Sequence, residues 1–238
     1  MYLTFGNFDS RDYKVVIGSV NSDNAAKPYN KEYSVLGKNG KIIVSDSTFE
    51  SYNITYDIGF YGVENRDIFL TKVKSELLSV NGYAPLIDSR YQETYRMASV
   101  VELLIKKTAR YTQDFIISID FLVQPQRYLY DGDIWRTVTD AIENRTLFTA
   151  KPQIRFTTSA KDAVIKVGDG EITMEDLASG SEYIYDSETM ELVDVLSGTK
   201  KNLNLHISGN PYLLPNRKNK IEHSGISSLS IKPRWWTI

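Results

Sequence analysis

Cysteine is absent from all 238 residues, which excludes disulfides, thiolate zinc sites and cysteine nucleophiles. Histidine is scarce: His206 and His223 are the only two. Neither stands at a metal-ligand spacing, so both read as surface or strand-edge residues. No GxSxG, Walker or GxGxxG pattern occurs, leaving nucleophile-elbow chemistry and phosphate cradling without support. Long apolar runs are missing too. The longest uncharged stretch, Asn202 to Asn216, is broken by Gly209, Pro211 and Pro215, so no membrane span is expected. The opening MYLTFGNFDSRDYK has no basic n-region followed by an apolar core, and reads as no signal peptide. Nor is there a basic excess. The net charge of −2 falls entirely within residues 1–133, and neither half looks built to hold a duplex. The expectation is a soluble protein that folds in the cytoplasm of the cell making it. No metal, no cofactor, no catalytic residue and no specific nucleic-acid binding are expected.

What is present is apolar and aromatic: 42% hydrophobic residues and 12% aromatics, led by 16 Tyr. That suffices for one large β domain or two of about a hundred residues each. The stretch Ile116 to Asp133 argues for two. Ile117, Ile119, Phe121 and Val123 alternate with the period of a half-buried strand. Pro125 lacks a backbone donor, so a central strand is expected to end there. Tyr128, Leu129 and Tyr130 follow, then a turn at Asp131-Gly132. The expected domains are 1–130 and 131–238, with Pro125, Tyr128 and Tyr130 as a stiff interdomain joint.

In the first domain, strands are expected at Tyr2–Phe5 and Tyr13–Ile17, then a polar loop from Asn21 to Asn30. Residues 33–46 carry Asn39-Gly40 between apolar arms, the signal of a type I′ hairpin. An isolated hairpin is marginal in water, so the apolar arms, with Val35, Leu36, Ile42, Ile43 and Val44, need their own domain or a neighbouring subunit to lie on. Phe49 to Gly62 reads as a strand with Tyr52, Ile54, Tyr56 and Ile58 on one face. Asn65 or Asp67 caps one helix over Ile68 to Val80, its stripe made of Phe69, Leu70, Val73, Leu77 and Val80, with Asn81-Gly82 as the stop. Gly82 to Arg96 reads as a loop. Met97 to Thr108 suits helix or strand, and strand is favoured because it leads through a turn at Thr108–Asp114 into the strand before the joint.

The second domain reads as strand after strand: Ile134–Val138, Thr146–Phe148, Gln153–Thr158, Ala163–Val167, Glu171–Met174, Tyr183–Asp186, Leu192–Val195, Tyr212–Leu214, Asn219–Ser224 and Ser227–Lys232. Gly168-Asp169-Gly170 and Ser187 to Thr189 turn two hairpins. Such spacing without a helical period argues a β-sandwich. Asp131-Gly132-Asp133 and Gly168-Asp169-Gly170 offer too few oxygens for calcium loops; turn chemistry explains both. Pairs of carboxylates are unavoidable among 30 acidic residues and do not identify a glycosidase. Trp135, Trp235 and Trp236 could stack on sugars, but read better as packed side chains.

Over nearly its whole length the chain resembles the distal tail proteins of siphophages that infect Gram-positive bacteria. The resemblance rests on LGKNGKIIVSD (36–46), LLSVNGYAPLIDSRYQETYRMA (77–98) and IDFLVQPQRYLYDGD (119–133). It continues through NRTLFTAKPQIRF (144–156), YIYDSETMELV (183–193), GNPYLLPNRKNKIEHSG (209–225) and LSIKPRWW (229–236). It implies a mainly β fold: an N-terminal β-sandwich with one α-helix and a projecting β-hairpin, then a galectin-like C-terminal β-sandwich. It also implies a homohexameric ring in the virion tail tip or baseplate. That ring would be stacked between the major tail tube protein and the tail-associated fibre or lysin protein, passing DNA without holding it. The hairpin would embrace the next subunit, which makes Leu36, Lys38, Asn39, Gly40, Lys41, Ile42 and Ile43 the candidate interface. The second domain would face outward and dock receptor-binding or baseplate proteins. Longer members of the family insert carbohydrate-binding modules, for which this chain has no room. The alternative, from a different class, is a sugar-binding or sugar-cleaving β-sandwich acting at the host cell wall.

Overall fold

The computed structural model describes residues 1–20, 24–107 and 114–238. The turn expected over Thr108–Asp114 lies outside the described residues except for Asp114, and so does the start of the loop expected from Asn21. The chain divides into two compact units, Met1–Arg127 with Ile238, and Tyr128–Thr237.

The first unit holds β1 (Leu3–Phe5), β2 (Phe8–Asp9), β3 (Val15–Val20), β4 (Pro28–Ser34), β5 (Lys41–Phe49), β6 (Tyr52–Phe60), α1 (Arg66–Leu78), β7 (Ala84–Asp88), β8 (Thr94–Lys107) and β9 (Phe115–Leu129). All but β4, β5 and α1 join one curled antiparallel sheet, in the order β2-β1-β7-β8-β9-β6-β3. Its core follows from register. Ile54, Tyr56, Ile58 and Phe60 of β6 lie opposite Phe121, Ile119, Ile117 and Phe115 of β9, and directly paired residues share a face. All eight are buried. Burial of side chains this size stabilises by roughly 1.5–3 kcal/mol each. α1 adds Leu70, Val73 and Leu77 to the same core. Its cap is Asn65, whose side chain accepts from the Ile68 N–H at 3.2 Å, satisfying a donor the first turn cannot. The helix ends at Leu78 with Ser79 as its cap, ahead of the stop expected at Asn81-Gly82.

Two expectations for this unit are corrected. β9 runs straight through Pro125. It can do so because its ladder with β6 ends at Val123, opposite Tyr52, so on that side no partner strand lacks the missing N–H. The segment 82–96 is more than a loop: β7 fills the space between β1 and β8. Buried Asp88 at the end of β7 accepts from the Tyr56 hydroxyl at 2.9 Å and from the Arg90 guanidinium at 2.6 Å. Burial pushes this carboxyl up, but the bonds from Arg90 and Tyr56 outweigh it and hold it below the usual carboxylate range.

The second unit opens on a 3-10 turn, Tyr130–Asp133. It continues with β10 (Arg136–Thr137), β11 (Ala141–Asn144), β12 (Gln153–Thr158), β13 (Ala163–Val167), β14 (Gly170–Met174), β15 (Glu182–Asp186), β16 (Glu191–Asp194), β17 (Leu205–Ser208), β18 (Arg217–Ser224), β19 (Ile226–Lys232) and β20 (Trp236–Thr237). Two five-stranded sheets, β10-β19-β12-β15-β16 and β11-β18-β13-β14-β17, bury one shared core that includes Ile154, Phe156, Ile165, Ile172, Tyr185 and Ile231. That is the expected sandwich. Thr146–Phe148 and Tyr212–Leu214, expected as strands, are loops joined at a single Ala150–Leu213 bridge. Buried Asn144 replaces the ladder there: its amide donates to the Phe148 and Leu213 carbonyls, and its oxygen accepts from the Thr146 N–H. Three short strands were not foreseen: β11, β17 and β20. Near the last of these, Arg234 sits in left-handed backbone with φ +56°. Its guanidinium is clamped on the Asp186 carboxylate at 2.8 and 2.5 Å.

Candidate functional site

The β4–β5 ribbon is the part of the first unit that stands apart from its sheet. Six residues of β4 pair with β5, Tyr33 opposite Ile42 and Lys31 opposite Val44. The two form a sheet of their own, hydrogen-bonded to no other strand among the described residues. Register assigns its faces, because paired residues point the same way and successive ones alternate. Tyr33, Ile42 and Val44, with Lys31, make one face. Asn30, Glu32, Ser34, Lys41 and Ser45, with the apolar Ile43, make the other. Every residue of β4 is exposed, and so are Val35, Leu36, Ile42, Ile43 and Val44, with Ile43 at 62%. A Glu32–Lys41 ion pair crosses the polar face; at such exposure it contributes little. Exposed apolar side chains gathered on one ribbon make it the candidate interaction surface of this unit.

The candidate interface residues fall on one end of this ribbon. Leu36, Lys38, Asn39 and Gly40 lie in the loop 35–40, and Lys41, Ile42 and Ile43 begin β5. The loop is not the two-residue type I′ turn that Asn39-Gly40 suggested. Positive φ occurs at Gly37 (+80°) and Gly40 (+81°) but not at Asn39, and strand pairing stops at Ser34–Lys41. The longer loop leaves Leu36 fully exposed at its tip. The ribbon also begins earlier than the sequence suggested, at Pro28. Its first three residues fall inside the loop expected from Asn21 to Asn30.

A second surface lies in the same unit. Beside the first turn of α1 is an open groove of about 440 Å³. Tyr61, Val63, Ile68 and Phe69 give it an apolar lining, with Ile68 69% and Tyr61 48% exposed. Asp12, Glu64 and Lys14 stand on its rim, whereas Lys72 is engaged with Glu76 and lies over the Tyr13 ring. This groove was not legible in the sequence, since Ile68 falls on the side of the helix opposite the stripe.

The other candidates are structural. Pro125 lies within β9, Tyr128 near its end, and Tyr130 in the 3-10 turn. In the second unit, Gly132 packs so closely on the backbone of Trp235 that a Cβ there would lie 2.4 Å from its nitrogen, and the Gly132 carbonyl accepts from the Arg234 N–H. Asp131 pairs with Arg136, and Asp133 with Lys232. Trp135 sits beneath Arg155 and Lys232, Trp235 packs on the sandwich core, and Trp236 stacks on Phe148 at 4.2 Å. His206 and His223 are exposed on β17 and β18. Among the described residues no group of His, Asp or Glu side chains is placed to hold a metal. Among them, too, no helix is long and apolar enough to cross a membrane.

No protein-family model matches the chain, and no curated protein does. Solved structures do. The Dit protein (gp 19.1) of phage SPP1, described as a paradigm of the hub adsorption apparatus in phages infecting Gram-positive bacteria, matches with a TM-score of 0.71 at 16% identity. The match covers 97% of this chain and 96% of that one. The phage P2 baseplate in its activated conformation matches with a TM-score of 0.59, at 10% identity with Ca and 11% with Sr, over 94% of this chain and 91% of that one. Across both units, the chain has the fold of the SPP1 Dit hub protein.

Proposed function

We propose that the chain is a structural hub of a phage tail tip or baseplate. The observation that carries this reading is the likeness to the SPP1 hub protein over 97% of this chain and 96% of that one. A fold shared from end to end, rather than over one domain, supports a shared architectural role. On this reading residues 1–130 form a homohexameric ring through which DNA passes, and the β4–β5 ribbon is a contact to the next copy. Residues 131–238, the galectin-like sandwich, carry receptor-binding or other baseplate proteins. The ring joins the tail tube protein to the tail-associated fibre or lysin protein, and the chain catalyses nothing.

Light scattering and negative-stain imaging of the purified protein test this. The expected result is a closed ring of about six copies, because repeated contacts between two different surfaces must close or run on as a filament. Deleting residues 37–41 is expected to leave a folded protein in a smaller assembly. A strictly monomeric native protein at high concentration would overturn the hub reading. Glycan or cell-wall hydrolysis lost on changing one carboxylate would overturn the claim that it is no enzyme.

A further inference from the structure

Resting on the reading of the ribbon as an intersubunit element, we propose that its acceptor is the groove beside the first turn of α1 on the next copy. Val35 and Leu36 at the tip fill the apolar lining at Tyr61 and Ile68, and the Lys38 ammonium meets the Glu64 and Asp12 carboxylates.

Three observations select this occupant. The tip is the part of the ribbon least engaged with its own chain: Leu36 is fully exposed, and a Cβ built on Gly37 or Gly40 would meet nothing within 4 Å. The groove has the shape a loop tip needs. It is an open depression of about 440 Å³, room for a pair of aliphatic side chains, and its Ile68 and Tyr61 are exposed among the described residues. Charge also matches. On the ribbon, Lys41 is held by Glu32, so the tip presents Lys38 alone, which forms no ion pair among the described residues. On the rim, Asp12 and Glu64 form none either and together exceed Lys14 by one negative charge. A single cation thus faces a single net anion around an apolar centre, the arrangement that fixes register in a specific contact. Since donor and acceptor are different surfaces of one chain, the contact is head-to-tail, and only closure limits how many copies it links.

The absence of cysteine makes the test clean. In the full-length double variant Leu36→Cys/Ile68→Cys the only thiols are the introduced pair, both on exposed positions. Bridging with a short bismaleimide is expected to give a ladder of covalent oligomers on a denaturing gel, ending at the size of the native assembly. Each single variant gives at most dimers, and a Leu36→Cys/Met190→Cys pair gives no such ladder. Lys38→Glu is expected to weaken assembly by about tenfold, and adding Glu64→Lys to restore it. If deletion of 37–41 disrupts assembly but the cysteine pair gives no intermolecular product, the tip binds elsewhere and this proposal fails while the reading of the ribbon stands. If the deletion leaves the assembly intact, the reading of the ribbon fails and the proposal with it. Bridging confined to single chains overturns the proposal directly.

Discussion

Two hairpins of this protein make a natural experiment. The β13–β14 hairpin turns tightly through Gly168-Asp169, with Val167 opposite Gly170. It buries Ala163, Ile165, Val167, Ile172 and Met174 on one face, and it is flanked by β18 and β17. The β4–β5 ribbon has the same antiparallel ladder, yet among the described residues it has no flanking strand and no buried face. Alternation of apolar residues therefore encodes the ribbon but not its bed. In the first case the bed is the rest of the sandwich. In the second no bed is present among the described residues, and on the function proposed above the next copy supplies it.

The sharpest way to break the comparison is to truncate one isoleucine in each hairpin. Ile165→Ala should destabilise by about 2–5 kcal/mol, read from denaturant unfolding. Ile43→Ala at 62% exposure should cost under about 0.5 kcal/mol in the dissociated chain. Equal losses would mean the ribbon has a bed within its own unit.

Ion pairs should separate the regions next. Asp88→Asn leaves Arg90 and Tyr56 without their carboxylate and should cost about 2–3 kcal/mol. Because the folded-state pKa of Asp88 lies below its ordinary value, its stabilisation is complete above the unfolded-state pKa of about 3.9. It fades as pH falls through the folded value. The wild type should thus lose stability below about pH 4 more steeply than Asp88→Asn, as chemical unfolding across pH 2–6 would report.

Glycines sharpen the contrast further. A Cβ at Gly170 would meet Pro211 nitrogen at 2.2 Å and Asn210 carbonyl carbon at 2.3 Å, so Gly170→Ala should cost about 1–3 kcal/mol. Gly40→Ala meets no atoms and carries only the strain of φ +81°, about 1 kcal/mol. The smallest effect is expected for Lys41→Ala, which removes a solvent-exposed ion pair and should leave the thermal unfolding midpoint unchanged.

Sequence was a good guide wherever one face of an element meets a core. The alternations of β6 and β9, the stripe of α1 and its Asn65 cap all follow from period and propensity, and the strand favoured from Met97 onward lies within β8, which begins three residues earlier, inside the expected loop. It was a poor guide where pairing is set by neighbours distant in the chain. β7 is five residues long and gains strand character from β1 and β8. β17 has β14 as its one neighbour, so nothing in Leu205–Ser208 alone demanded it. Pro125 misled because its effect depends on whether a partner strand reaches that position, which is a property of register. The ribbon was legible as apolar and paired. The groove was not, because it is made of residues such as Asp12, Tyr61 and Ile68, whose proximity is a product of folding.

The placement of β18 and β19 has a consequence for how the protein is made. These strands, Arg217–Ser224 and Ile226–Lys232, lie inside their sheets, β18 between β11 and β13 and β19 between β10 and β12. The sheet holding β18 therefore cannot close until the ribosome has passed residue 224, nor the sheet holding β19 until residue 232. At about 5–20 residues per second, that leaves the half-built sandwich waiting several seconds with Ile154, Ile165 and Tyr185 uncovered. The first unit's strands β1–β3 and β6–β9 are complete by residue 129, so they can pair while the second unit is still being synthesised. Synthesis order thus leaves the second unit's core the longer uncovered.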